Sequence, residues 1–239
     1  YYVESTPADQ LQPKLHSYPY LKPGDPIPIS LPRLFDVESG SEISISSDLF
    51  ANPWSLEFQR WSDDGTRFWL LYNERGHQRM RVLEVTSATG VVRAIVDEHS
   101  PTFIQYSSDG KMELRWLGNN QLLWASERTG WNHLYRYDTV AGTVMNPVTA
   151  GDWNMRRIEH VDEEHQQIWI SAVGLNSGQD PYHEHFCRAN LDGSGFVQLT
   201  DGDGTHKIEW SPDHLWFIDR YSRIDLPPVT ELRSADNGA

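Results

Sequence analysis

The sequence predicts an all-β chain: a partial β-propeller of about four blades, each a four-stranded antiparallel sheet. Three observations predict it. Four anchors, Trp61, Trp116, His160 and Trp210, recur about every fifty residues, and each belongs to a group of three or four short strand patterns. Two strand ends match one another: the run 148–152 (VTAGD) resembles 199–203 (LTDGD), with Thr149 and Thr200 one blade apart. No segment reads as a helix of more than a turn or two, so periodicity and composition agree on strands.

The elements follow in order. A Pro-rich crossing (Pro19, Pro23, Pro26, Pro28, Pro32) leads into segments 31–37 and 41–45, read as a half blade turned at Glu38-Ser39-Gly40. The first whole blade spans 58–98. A short strand ends at Trp61, and Asp63-Asp64-Gly65 supplies the positive φ of a tight turn. The apolar run 68–72 reads as buried on both faces, 80–85 as half-buried, and 91–96 closes the blade. The second blade spans 114–149 and turns at Asn119-Asn120. The third spans 158–200. The fourth, 208–233, has three strands and no outermost one. No internal domain boundary stands out.

Composition limits function. At 239 residues the chain can bury a sizeable core, and ten Trp and ten Tyr supply bulk for sheet faces. A net charge of −14 argues against a nucleic-acid partner and against an anionic membrane; it could attract a cationic ligand, but solubility is the expected reading of acidity alone. The single Cys187 forbids an internal disulfide and reads as a small core residue. Its context fits either the cytoplasm or a bacterial envelope such as the periplasm. No run of about 18 apolar residues is present for a membrane span.

Chemistry is expected elsewhere. Gly-x-Ser-x-Gly does not occur, and the nearest string, Asp192-Gly193-Ser194-Gly195, reads as a hairpin turn. His183 and His185 on one strand face offer two imidazoles without a third ligand, so a solvated strand entry is the expected reading. Asp201-Gly202-Asp203-Gly204 lacks the remaining ligands of a calcium loop. Glu163-Glu164 aligns with the turn at Pro212-Asp213 and reads as a hairpin tip. No catalytic residue, cofactor site or metal site is assigned.

Several runs together carry a resemblance. These are SERTGWNHLYRYD (126–138), TAGDWNMRRIEHVDE (149–163), SGQDPYHEHFCRANLDGSG (177–195), TDGDGTHKIEWSPD (200–213) and FIDRYSRIDLPPVTELRSADNG (217–238), with YPYLKPGDPIPISLPRLFDV (18–37) before them. They resemble the propeller region of dipeptidyl peptidase IV-like serine peptidases of the prolyl oligopeptidase superfamily, in the family's order and over nearly the whole chain.

The resemblance implies an eight-bladed ring that bounds a chamber and filters access. An α/β-hydrolase domain of the same chain would cap it, in an enzyme that removes N-terminal dipeptides with Pro or Ala second. It places the amine-binding glutamates and a propeller arginine upstream of the matched region, and the Ser-Asp-His triad downstream of Gly238. Glu163-Glu164 lacks the Trp-x-Tyr that precedes the family's glutamate pair, so that role is not carried over. A family loop that brings an aromatic and an arginine near the substrate corresponds to residues 99–109, where Phe103 and Tyr106 are expected to pack. Trp131, Trp153 and Tyr182 are expected at blade ends, and Arg128 and Asp180 in loops.

The expected role is therefore the non-catalytic propeller portion of such a peptidase, inactive alone, with peptide substrates met through the hydrolase domain. A homo-oligomer is compatible, since a broken ring exposes two sheet faces. The alternative is a propeller that serves as a protein-interaction scaffold with no hydrolase partner.

Overall fold

Short β-rich runs separated by Gly, Asn and Asp turns fold here as consecutive antiparallel hairpins. The computed structural model describes residues 1–107 and 112–239. The strands in chain order are β1 (Tyr2–Glu4), β2 (Lys14–His16), β3 (Leu34–Phe35), β4 (Glu42–Ile43), β5 (Pro53–Trp61), β6 (Arg67–Glu74), β7 (Arg79–Thr86), β8 (Val92–His99), β9 (Leu114–Leu117) and β10 (Gln121–Ser126), followed by β11 (His133–Asp138), β12 (Thr143–Pro147), β13 (Asn154–Asp162), β14 (Gln167–Val173), β15 (Glu184–Asn190), β16 (Val197–Gln198), β17 (Thr205–Trp210), β18 (Trp216–Arg223) and β19 (Leu226–Ser234).

Blade I is β5-β6-β7-β8, blade II β9-β10-β11-β12 and blade III β13-β14-β15-β16, each a four-stranded antiparallel sheet; blade IV, β17-β18-β19, has three strands. β3 pairs with β4, and β1 with β2. Apart from the single 3-10 turn Asp48–Phe50, the described residues form no helix.

The chain divides into two units, Tyr1–Leu31 and Pro32–Ala239, where the sequence suggested no boundary. In the first unit the β1–β2 hairpin, unforeseen in the sequence, is held by Tyr2 stacked on His16 at 4.7 Å and by His16 against Glu4 at 2.8 Å. The second unit carries the blades.

The core lies between sheets, and each apolar cluster draws on consecutive ones. Phe68, Leu70, Tyr72, Leu83 and Val85 of blade I pack with Phe50 and with Leu34 of β3. Trp69, Met80 and Val82 of blade I meet Leu122, Trp124, Tyr135 and Tyr137 of blade II. Leu123 and Leu134 of blade II join Met155, Ile168 and Ile170 of blade III. Trp169 and Leu199 meet Phe217 and Trp210 across the last seam. Sheets stacked face to face in chain order are the packing of a propeller.

That packing corrects one expectation. The segment 80–85 is buried on both faces rather than half-buried, because Met80 and Val82 enter one cluster while Leu83 and Val85 enter the cluster on the other side. The first strands of blades I, III and IV also begin earlier than the apolar pattern indicates, at Pro53, Asn154 and Thr205. The openings mix buried Pro53 and Met155 with exposed Trp54 and polar Asn154 and Thr205, so no hydrophobic period marks them.

Two turns show why particular residues recur. Asn119 and Asn120 both take positive φ, 54° and 57°, between β9 and β10, a conformation asparagine tolerates in tight hairpins. Gly90 approaches the backbone of Ser44 so closely that a side chain would collide with its carbonyl oxygen. The matching strand ends also have a shared cause. Thr149 Oγ1 accepts from Leu134 N, and Thr200 Oγ1 from Phe186 N, both at 3.0 Å. His133 Nδ1 lies 3.0 Å from Thr149 Oγ1 and His185 Nδ1 lies 3.3 Å from Thr200 Oγ1. The repeated Thr closes blades II and III by the same clasp.

Candidate functional site

Antiparallel order puts the β6–β7, β10–β11 and β14–β15 turns and the blade-to-blade crossings at one end of the strands. That end carries exposed aromatic side chains of blade I and of the crossing after it, Trp54, Phe103 and Tyr106. The turn after β6 places His77 at φ 57°, where Nδ1 lies 3.1 Å from Oδ1 of the buried Asn73. The crossing after β8 is pinned to this turn. Ile104 N donates to His77 O at 2.7 Å, Ser100 N to Gln78 O at 2.9 Å, and Gln78 Nε2 to Pro101 O at 3.0 Å.

The pinned crossing gathers rings around His77. Tyr106 stacks on it at 4.3 Å and 19°, Phe103 meets it edge-on at 5.5 Å, and Trp54 meets it at 5.1 Å. Arg75 lies over Trp54 at 5.3 Å. Phe103 and Trp54 are each about half exposed, so the cluster presents ring surface and a cation to solvent. The expectation that Phe103 and Tyr106 pack is met, and the partner that organises them, His77, was not singled out. Its signal was faint: Arg75-Gly76-His77 reads only as a turn.

Beside the rings lies a cavity of about 240 Å³, lined by Phe103, Ile104, Met112, Glu98, Ser126 and Arg128 among others. Its floor is a polar network between blades I and II. Ser126 Oγ donates to Glu98 Oε1 at 2.6 Å, and Arg128 donates through Nη2 to Glu98 Oε2 at 3.0 Å and to the Tyr137 hydroxyl at 2.7 Å. Arg128 also lies over the Tyr135 ring at 4.1 Å. Burial pushes the Tyr137 phenol above its ordinary value. Arg128 thus pairs with a neighbouring blade, and its planar group bridges carboxylate, phenol and ring at once. The volume suits a side chain or short segment rather than a large ligand.

The remaining sequence candidates fall into structural roles. Ser194 sits in the β15–β16 hairpin and donates to Asp192 Oδ1 at 2.6 Å, with no imidazole in its bonding. His183 precedes β15 and lies 3.2 Å from Thr205 Oγ1, while His185 is buried in the Thr200 clasp; the two are not brought together as ligands. His185 is therefore no solvated strand entry. Burial, then the nearby His206, pushes its imidazole down to about 4. Burial likewise lowers His133.

Asp201 pairs with Arg233 at 2.6 Å and Asp203 pairs with Arg223, so neither loop carboxylate is left for calcium. Glu163 Oε2 accepts from Gly118 N of the adjoining blade at 2.7 Å. Cys187 is fully buried, and burial pushes its thiol far up. Trp153 is buried in the seam of blades II and III, Tyr182 is exposed, and Asp180 caps its own turn through Tyr182 N at 2.9 Å. Among the described residues no three His, Cys, Asp or Glu side chains are placed to hold a metal ion, and no helix is long and apolar enough to cross a membrane.

Comparison with known proteins gives these features a setting. The family described as "Dipeptidyl peptidase IV (DPP IV) N-terminal region" matches residues 1–228. The crystal structure of Porphyromonas gingivalis dipeptidyl peptidase 4 superposes with a TM-score of 0.67 at 19% identity, covering 99% of this chain and 33% of that one. A Bacteroides ovatus structure described as a dipeptidyl aminopeptidase IV gives 0.59 at 18% identity, covering 86% and 31%. The chain therefore spans about a third of the length of these solved structures.

Proposed function

The chain belongs to the dipeptidyl peptidase IV N-terminal-region family, and on that premise we propose that it is the propeller portion of a serine exopeptidase that releases N-terminal dipeptides. The family match over 1–228 is the observation that carries this reading. The nucleophile, its base and its acid belong to an α/β-hydrolase domain of the same protein, and the blades form the wall and access filter of the chamber between them.

The crossing end of the strands is the chamber side in this proposal. The Trp54, His77, Phe103, Tyr106 and Arg75 cluster supports it, because half-exposed rings beside a cation suit an extended peptide: ring faces pack its side chains and the guanidinium meets its carbonyls. The Glu98–Arg128–Tyr137 network keeps this surface in place across two blades. A filter of this kind changes which substrates arrive and leaves the chemical step alone.

The test compares substrates of different length in the peptidase that carries this chain. Phe103→Ala and Tyr106→Ala are expected to change kcat/KM for long peptides by roughly tenfold, with a small dipeptidyl amide hydrolysed at the parent rate. Equal loss on both substrates would place the cluster in the catalytic machinery, and no change on either would remove it from the substrate path.

A further inference from the structure

At the opposite end of the strands, the repeat builds the same seam twice with one decisive difference. In blade I, Arg60 stands in register with Trp69; in blade III, His160 stands in register with Trp169. Arg60 faces Trp116 near the end of the next blade's first strand, and His160 faces His214 in the turn after the next blade's first strand. Arg60 lies 6.0 Å over the Trp116 ring, with Trp69 and Trp116 at 5.1 Å; Trp169 and Trp210 lie at 6.3 Å. The first seam thus carries its own guanidinium, set against aromatic rings and 3.4 Å from Asp63.

The second seam keeps the rings and the carboxylates but supplies no such cation. Its cavity, about 480 Å³, is walled by Trp169, Trp216 and the stacked imidazoles of His160 and His214, 4.1 Å apart at 11°. Asp162, Asp213 and Asp236 also line it, and no Lys or Arg does. Asp213 is fixed by Ser211 Oγ at 2.6 Å and by Leu215 N at 3.0 Å, which hold its carboxyl below the ordinary range. Asp162 faces His165 at 2.8 Å, and Asp236 pairs with Arg188 at 3.2 Å. Trp216, about half exposed, offers a ring at the mouth.

We propose that the seam between blades III and IV is a binding site for a guanidinium group, supplied by an arginine side chain of a peptide or protein partner. The ligand lies beside His160, which holds the register of Arg60 in this seam, in a cavity lined by both rings and carboxylates. Planar guanidinium suits this pairing because it stacks on aromatic faces and forks onto carboxylate oxygens together. The chain's charge of −14 draws such a ligand toward the surface. The site is separate from the proposed chamber side and does not rest on the peptidase reading.

Protons compete with the ligand. The imidazoles facing the cavity are His160, His214 and His165, the carboxylates are Asp162, Asp213 and Asp236, and Arg115 and Arg188 are the neighbouring fixed cations. Protonation of His165, held above its ordinary value by Asp162, and then of His160, held below it by burial, offsets the carboxylate charge of the walls, and binding weakens.

The experiment titrates the protein with Nα-acetyl-arginine amide and with its uncharged isostere, Nα-acetyl-citrulline amide, at pH 7.5 and pH 5, following tryptophan fluorescence and calorimetry. The arginine probe is expected to bind at least about tenfold more tightly than the citrulline probe, and more weakly at the lower pH. Trp216→Ala, which removes a half-exposed ring, should reduce binding several-fold with the fold retained. His160→Arg should abolish it, since the variant carries the cation of the first seam. Equal binding of the two probes, no binding of the arginine probe in the millimolar range, or unchanged binding in both Trp216→Ala and His160→Arg would overturn the proposal.

Discussion

The seam of blades I and II is tied by fixed charges, whereas the seam of blades III and IV adds imidazoles to its arginine pairs, Arg188 with Asp236 and Arg233 with Asp201. In the first, Arg93 meets Glu84 at 2.8 Å and reaches Thr139 and Val140 carbonyl oxygens of blade II, and Arg128 joins Glu98 to Tyr137. In the second, His185 and His206 pack at 4.8 Å, His206 lies 2.8 Å from the buried Asp219, and His160 stacks on His214. One repeat therefore yields two joints with different responses. Arginine keeps its charge at every working pH; histidine does not.

Mutation sharpens that contrast. The largest effect is expected from Trp124→Ala, because this fully buried ring is at the centre of the first seam: about 3–5 kcal/mol of stability lost, read from urea midpoints. Asp219→Ala should follow at about 3 kcal/mol, since it leaves His206 and Arg233, 3.3 Å from Asp219, without their buried carboxylate. If Asp219→Ala cost less than an exposed substitution, the second seam would not depend on its charged centre.

Acid should separate the seams more gently. Burial depresses His133, His160 and His185, so each favours the neutral form in the folded state. A depressed histidine contributes stability that is present above its unfolded value of 6.5 and lost as pH falls through its folded value, about 4 for His185. Glu113, raised by burial, and the exposed His165, raised by Asp162, act in the opposite direction. The three depressed imidazoles outnumber them, so urea midpoints should fall between pH 6.5 and 4. Hydrogen exchange should show blades III and IV opening first. Uniform opening of all blades would break the comparison.

The smallest effect is expected at the rim. Arg60→Ala should cost about 0.5–1 kcal/mol, the scale of a partly exposed cation–π contact, with the loss read as a shift in thermal midpoint.

How much of this was legible differs by region. The blades were, because Trp61, Trp116, His160 and Trp210 end or nearly end first strands and the matching Thr149 and Thr200 close blades by one shared bond pattern. Burial of both faces of β7 was not, since Arg81 and Glu84 interrupt its apolar run and are buried as paired charges: Arg81 meets Asp97 at 3.1 Å and Glu84 meets Arg93 at 2.8 Å. The β1–β2 hairpin was hidden by its length, three residues a strand, and by the prolines that follow it. At the candidate site Phe103 and Tyr106 drew notice as aromatic residues in a loop. Their convergence on His77, twenty-six and twenty-nine positions earlier in the chain, depends on backbone bonds between a turn and a crossing that no local pattern encodes.

The central claim is that these blades serve a dipeptide-releasing peptidase without carrying its chemistry. The most direct measurement is hydrolysis of a Gly-Pro chromogenic amide by residues 1–239 alone and by the protein that also carries the hydrolase domain. The account predicts dipeptide release by the longer protein, its loss when the substrate's amino group is blocked, and none from residues 1–239. Turnover by residues 1–239 alone, or an inert longer protein, would contradict it.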